Sequence, residues 1–194
     1  MRRLWCVLCF ARSFTRMEDC GLDIEGFRRW AMGNVVDNRN RGIFAEWLVG
    51  QALHAIDASE FRQEWDVWDL RYRGAGIEVK TSGLNQYWSP LRRSRPSFGI
   101  SAPKQIWFEQ TAEWRANDQG TRPAHVYVFC LHTSLPATNA NVACPNTWEF
   151  WVISAQTLDD ELGTQKTVGP ATLDRLVGRV GWDQIKEAVD RLVD

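Results

Sequence analysis

The residues best suited to chemistry are Asp69, Glu78 and Lys80. They lie in the stretch Trp65-Asp66-Val67-Trp68-Asp69-Leu70-Arg71-Tyr72-Arg73-Gly74-Ala75-Gly76-Ile77-Glu78-Val79-Lys80-Thr81-Ser82. Two runs rich in Val, Ile, Trp and Tyr flank a Gly-Ala-Gly turn there, a pattern that predicts a β-hairpin. With the turn centred on Gly74-Ala75, Asp69 falls opposite Lys80 and Arg71 opposite Glu78. Side chains alternate between faces, so Asp69, Glu78 and Lys80 share one face while Leu70, Ile77 and Val79 point to a core. Two carboxylates brought together repel unless a divalent cation lies between them, and Mg²⁺ takes one or two protein carboxylates while keeping several waters. A Lys on the same face can orient or deprotonate a water, and the metal polarises a phosphate and stabilises the charge on the departing oxygen. These are the parts of a metal-dependent phosphodiesterase. The same charges also suit an ordinary cross-strand ion pair that steadies a sheet, and that reading stands beside the chemical one.

The arrangement Asp69 followed by Glu78-Val79-Lys80 resembles the PD-(D/E)XK nuclease superfamily, in which an Asp near the end of one strand precedes Glu-x-Lys on the next. Trp68 stands where the family's name has Pro. Many members add an acidic residue from the helix before the sheet, and Glu46 in Asn40-Arg41-Gly42-Ile43-Phe44-Ala45-Glu46-Trp47-Leu48 is the matching position. The resemblance covers about residues 35 to 155 as an order of elements. It implies an α/β, restriction-endonuclease-like fold, with a central mixed β-sheet flanked by helices. It further implies DNA as substrate, Mg²⁺ or Mn²⁺ as cofactor, and Asp69, Glu78 and the Val79 carbonyl as metal ligands. Lys80 would position the attacking water and Glu46 would assist. Asp66 competes with Asp69 for the first position if a bulge reverses the strand's faces. Restriction or phage defence and DNA repair are the settings such an enzyme suits, and a homodimer would suit cleavage of both strands. A nuclease-fold module that binds nucleic acid or a protein partner without cutting is the alternative.

The elements that must position these residues are legible in part. Apolar periodicity predicts a helix from Gly21 to about Met32, stopped by Gly33, and a second from about Arg41 to Ile56 carrying Glu46. Asn residues in the polar stretch before it are plausible caps and Arg41 a plausible phosphate contact. His54, in the last turn, would cap the helix C-terminus. Asn85 to Pro96 reads as an irregular loop, and its Arg92, Arg93 and Arg95 would contact the DNA backbone. Ser97 to Ser101 suggests a short strand, and Pro103 would open a helix running to Trp114. The nearly unbroken apolar run Ala124 to His132 predicts a central buried strand, and Trp148 to Ile153 another, with a helix starting at Ser154. His125 and His132, at the ends of the first run, read as strand-end or core histidines. From Pro170 two helices follow, broken near Gly181.

The chain has 194 residues, 44% hydrophobic and 24% charged, which suits a globular protein with a sizeable core and argues against disorder. The net charge of −1 excludes a general polyanion binder. The charge is uneven, however: residues 62–104 carry eight basic and four acidic side chains, whereas residues 149–194 carry five and nine. A local basic excess around the site would neutralise backbone phosphates. The five cysteines form neither a disulfide framework nor a zinc pattern, since Cys6 and Cys9 lack a second pair. The eleven tryptophans are first of all packing material. The apolar run near the N-terminus, about eight residues after Arg2-Arg3, is far shorter than the ~20 that cross a bilayer. These features lead us to expect a cytoplasmic protein with no membrane partner. Residues 1–20 would be an extension, with translation start at Met17 as one explanation, and residues 21–194 a single domain.

Overall fold

The computed structural model describes residues 21–57, 61–62, 67–86, 89–108, 111, 113–118 and 120–194, with backbone alone at 89–92 and 108. It divides into a smaller unit that ends at Gly33 and a larger unit, residues 34–194. In the first unit, helix α1 spans Ile24–Met32. It begins after Asp23, whose carbonyl accepts the Phe27 N–H at 2.9 Å, and ends where Gly33 donates to Arg29 O at 2.8 Å.

In the larger unit, helix α2 spans Asn38–Leu53 and is capped by Asp37, whose side chain accepts the Arg39 N–H. The polar stretch expected to precede the helix is therefore its first turn. Its C-terminus is closed by backbone, not by an imidazole. His54 takes a left-handed conformation at φ 54° and donates to Gln51 O, while Ala55 donates to Gly50 O, a standard way of satisfying the last carbonyls.

Four strands form a mixed sheet in the order β1-β2-β8-β9. Strand β1 (Leu70–Tyr72) is antiparallel to β2 (Ala75–Gly83); β2 is parallel to β8 (Val126–His132); and β8 is antiparallel to β9 (Trp148–Ser154). All seven residues of β8 are buried, as a continuous apolar run requires of a strand covered on both faces. One face packs Ile77, Val79, Val126, Val128 and Phe150 against α2 and against Ile185 and Val189 of helix α6 (Ile185–Val193). The other face packs Phe129, Trp151 and Ile153 against Leu158 and Leu162 of helix α4 (Ala155–Leu162) and Leu173 of helix α5 (Pro170–Leu176). Ser154 caps α4 by accepting the Thr157 N–H at 3.0 Å. A short helix α3 (Asn139–Val142) precedes β9. No described helix is long and apolar enough to cross a membrane.

Of three smaller pairings, two depart from the sequence reading, and the third places a short strand at Phe98–Gly99, within the expected Ser97–Ser101 strand. The expected loop after β2 contains a hairpin of β3 (Asn85–Gln86) and β4 (Ser89–Arg93). Strand β5 (Phe98–Gly99) pairs with β10 (Thr167–Val168), a long-range partner invisible to local pattern. The helix expected from Pro103 is instead a hairpin of β6 (Gln105–Phe108) and β7 (Glu113–Ala116). Proline at a helix start was a misleading cue there. Trp107 and Trp114 meet across the strands with ring centroids 5.5 Å apart, and cross-strand aromatic pairs of this kind stabilise a hairpin.

The turn between β1 and β2 uses Arg73 at φ 48° and Gly74 at φ 82°, the positive pair of a two-residue type I′ hairpin. Gly76, next to it, is required for space: a Cβ there would lie 2.3 Å from the Trp68 ring. Gly76→Ala is therefore expected to lower unfolding stability in urea by about 1–3 kcal/mol. The loss should shrink in a Trp68→Ala background, because the two residues share one contact.

Candidate functional site

The type I′ turn fixes the register of the hairpin. Leu70 pairs with Ile77, Arg71 with Gly76 and Tyr72 with Ala75, so one step beyond β1 Asp69 stands opposite Glu78. The expected partners, Asp69 with Lys80 and Arg71 with Glu78, are thus displaced by two residues, because the turn is centred one residue earlier than the glycines suggested. A two-residue displacement preserves the face of every side chain. Asp69, Glu78 and Lys80 consequently share a face, with Ile77 and Val79 in the core behind them.

Asp69 Oδ2 accepts the Val79 N–H at 2.7 Å, which ties the residue before β1 to β2. Burial pushes the Asp69 carboxyl up to about 7, and the negative charges of Glu78 and then Glu46 act in the same direction; the Val79 hydrogen bond and the Lys80 charge oppose them. The Lys80 ammonium donates to Glu78 Oε1, and both side chains keep an opening to solvent, at 32% and 18% exposure. Glu46 is held from the helix side. It continues the row of Val49, Gly50 and Leu53, all buried, so its side chain is only 14% exposed. Arg62 grips its two carboxylate oxygens through Nε and Nη2 at 2.5 and 2.9 Å. The structure thus brings Glu46, Asp69, Glu78 and Lys80 into one electrostatic neighbourhood.

Among the described residues no three His, Cys, Asp or Glu side chains converge into a ready cage for a metal ion. Two hard oxygen donors, Asp69 and Glu78, nevertheless stand across one hairpin, and Asp69 gives up its proton reluctantly because it is buried and, secondly, because Glu78 faces it. That donor set suits Mg²⁺ or Mn²⁺, which use one or two carboxylates, with water and a backbone carbonyl completing the shell. Val79 can contribute only its carbonyl, because its side chain lies in the core.

The other expected site residues divide. Arg41 is only 2% exposed. Its guanidinium donates to Asn85 O at 3.0 Å and Asn38 Oδ1 at 2.7 Å and fills the space above Gly83, where a Cβ would approach it to 2.7 Å. It is a corrected assignment: a buried brace between α2 and the end of β2, not a surface phosphate contact. Burial lowers its affinity for the proton, with Asp37 opposing. Arg93 and Arg95 are exposed. The side chain of Arg92, like Asp66, Cys6, Cys9 and Cys20, lies outside the described residues. His132 is fully buried against Trp148, and burial followed by the Arg41 charge brings it down to about 4; it is a core histidine, as expected.

Sequence reasoning missed two neighbours. Tyr127 pairs with Glu78 across the parallel strands and shares its face; burial and then the Glu78 charge raise its phenol above the ordinary range. His125, read as a strand-end residue, accepts the Gly76 N–H on Nδ1 at 2.9 Å. The cue for both was the alternation of β8 itself, which becomes informative once its register with β2 is known.

No model of a known protein family matches the chain, and no curated protein matches it in sequence.

The Asp69 environment gives a signed pH dependence. The unfolded carboxyl loses its proton near the ordinary 3.8, the folded one near 7. Between these values the native state keeps a proton that the unfolded chain has released, so this contribution is full below about pH 4 and is lost as pH rises through 7. Asp69→Asn should remove that decline and raise stability near pH 8 by an amount on the order of a few kcal/mol. Urea denaturation across this range, in chelator, checks both.

Proposed function

We propose that this chain is a divalent-metal-dependent nuclease of restriction-endonuclease-like fold that hydrolyses DNA phosphodiester bonds. The observation that carries the reading is the patch formed by Asp69 and Glu78 across a hairpin with Lys80 two residues further on the same face, to which Glu46 of the preceding helix adds its charge from the Ile77 and Val79 side of the sheet. The mixed four-stranded sheet packed against helices is the architecture such a site needs.

A bound Mg²⁺ or Mn²⁺, held by Asp69, Glu78 and the Val79 carbonyl, would polarise the scissile phosphate and stabilise charge on the leaving oxygen. Lys80, whose ammonium donates to Glu78, would orient the attacking water through its remaining N–H groups, the water's proton passing to solvent. Glu46, steadied by Arg62, adds negative charge that favours the cation and accepts a hydrogen bond from water. Exposed Arg93 and Arg95 neutralise backbone phosphates. A second reading, a nuclease-fold module that binds DNA without cutting it, is favoured by the ion pairs that engage Lys80 and Glu46.

Cleavage separates the two. Supercoiled plasmid is expected to be nicked in Mg²⁺ or Mn²⁺ and left intact in EDTA, and Lys80→Ala, folded by circular dichroism, should lower the rate about 10²–10⁴-fold. Absence of metal-dependent cleavage by the wild type, or an undiminished rate in Lys80→Ala, refutes the nuclease.

A further inference from the structure

The face that carries the carboxylates is a small grid. One row across β1, β2 and β8 is Asp69, Glu78 and Tyr127; the adjoining row is Arg71, Gly76 and His125. The rows are two residues apart along the strands, roughly 7 Å. In the second row Gly76 leaves room for Trp68, whose ring lies where a Cβ would stand. The Arg71 guanidinium sits over that ring, 5.3 Å from its centroid, and the His125 ring meets it edge-on at 6.1 Å.

His125 is fixed on every side except one. Its backbone N–H donates to Gly76 O at 2.8 Å, its carbonyl accepts the Ala155 N–H at 2.9 Å, and its Nδ1 accepts the Gly76 N–H at 2.9 Å. With Nδ1 occupied as an acceptor, the ring proton resides on Nε2. The residue is exposed, so this N–H is an outward-facing donor held in one orientation. Arg71, also exposed, supplies a planar cation over the Trp68 ring. A cation and a preoriented donor flanking an aromatic ring form a binding site for an anion.

We propose that Arg71 and His125, spaced by Trp68, bind the backbone phosphate of DNA adjacent to the one held at Asp69 and Glu78. The inference rests on the nuclease reading for the place of the scissile phosphate. It adds a subsite that grips the strand without entering the chemistry: Arg71 supplies charge, His125 supplies direction, and Trp68 sets the distance between them.

The test is fluorescence anisotropy of a short fluorescein-labelled DNA duplex with the full chain in Ca²⁺, over a range of salt, beside plasmid cleavage by the same preparations in Mg²⁺. Arg71→Gln should weaken binding about tenfold and lower the slope of log Kd against log salt by about one unit. His125→Asn retains an acceptor for the Gly76 N–H while removing the Nε2 donor; it should weaken binding severalfold with the salt slope unchanged. In cleavage, both variants should raise KM and leave kcat close to that of the wild type. Wild-type affinity in both variants, absence of duplex binding by the wild type, or a fall in kcat with KM unchanged overturns the subsite. Binding that both variants weaken, in a protein that cuts nothing, upholds the phosphate site and refutes the nuclease. Cleavage with binding insensitive to both variants does the reverse.

Discussion

Like charges held at close quarters are the constraint on which this structure turns. Asp69 is buried and faces Glu78 across a hairpin, with Glu46 adding its field from a helix; burial first, and those charges after it, leave a carboxyl that keeps its proton up to about pH 7. Such a patch opposes folding at higher pH unless something compensates. The chain supplies partial compensation: a backbone N–H from Val79 to Asp69, the Lys80 ammonium to Glu78, and the Arg62 fork to Glu46. Each is a group that a divalent cation could relieve of that task, and the loss of one such compensation leaves the remaining charge costly.

The scaffold is built to resist the repulsion. Strand β2 is hydrogen-bonded on both edges, and its inward residues Ile77 and Val79 anchor it in the core. The hairpin's other end is fastened as well: the Tyr72 hydroxyl donates to Asp190 of α6 at 2.8 Å, and Arg73 pairs with Asp190 and Asp194. Helix α2 is braced against the same strand by Arg41, which reaches Asn85 just beyond it. A charge buried there is costly, and two hydrogen bonds through Nη1 and Nη2 offset part of that cost while Nε stays without a partner; they hold the helix bearing Glu46 against the strand bearing Glu78. Position, more than any single contact, is what these elements deliver to the site.

Much of this is legible in the sequence. The alternation in 65–82 placed Asp69, Glu78 and Lys80 on one face, and an error of two residues in register left that face intact because strand periodicity is two. Strands β8 and β9 follow from apolar runs, whereas Glu46 as a site residue comes from the family resemblance alone. What sequence could not supply were contacts between distant segments. Nothing local marks β5 and β10 as partners, or His125 as a neighbour of Gly76. Arg41 was misread because an arginine in a polar stretch looks exposed until the helix is known to begin at Asn38. The β6–β7 hairpin is hidden because Pro103 suits a helix start, while its cross-strand partners Trp107 and Trp114 stand seven residues apart in the chain.

Calorimetric titration of Mn²⁺ into the apo protein near neutral pH tests the central claim most directly, because it asks whether the carboxylate pair is a cation site independently of any substrate. The account predicts saturable binding accompanied by proton release, lost in Asp69→Asn and in Glu78→Gln while both variants remain folded. Absence of binding, or binding that survives both substitutions, would contradict it and leave Asp69, Glu78 and Lys80 as an ion-pair cluster that serves the sheet alone.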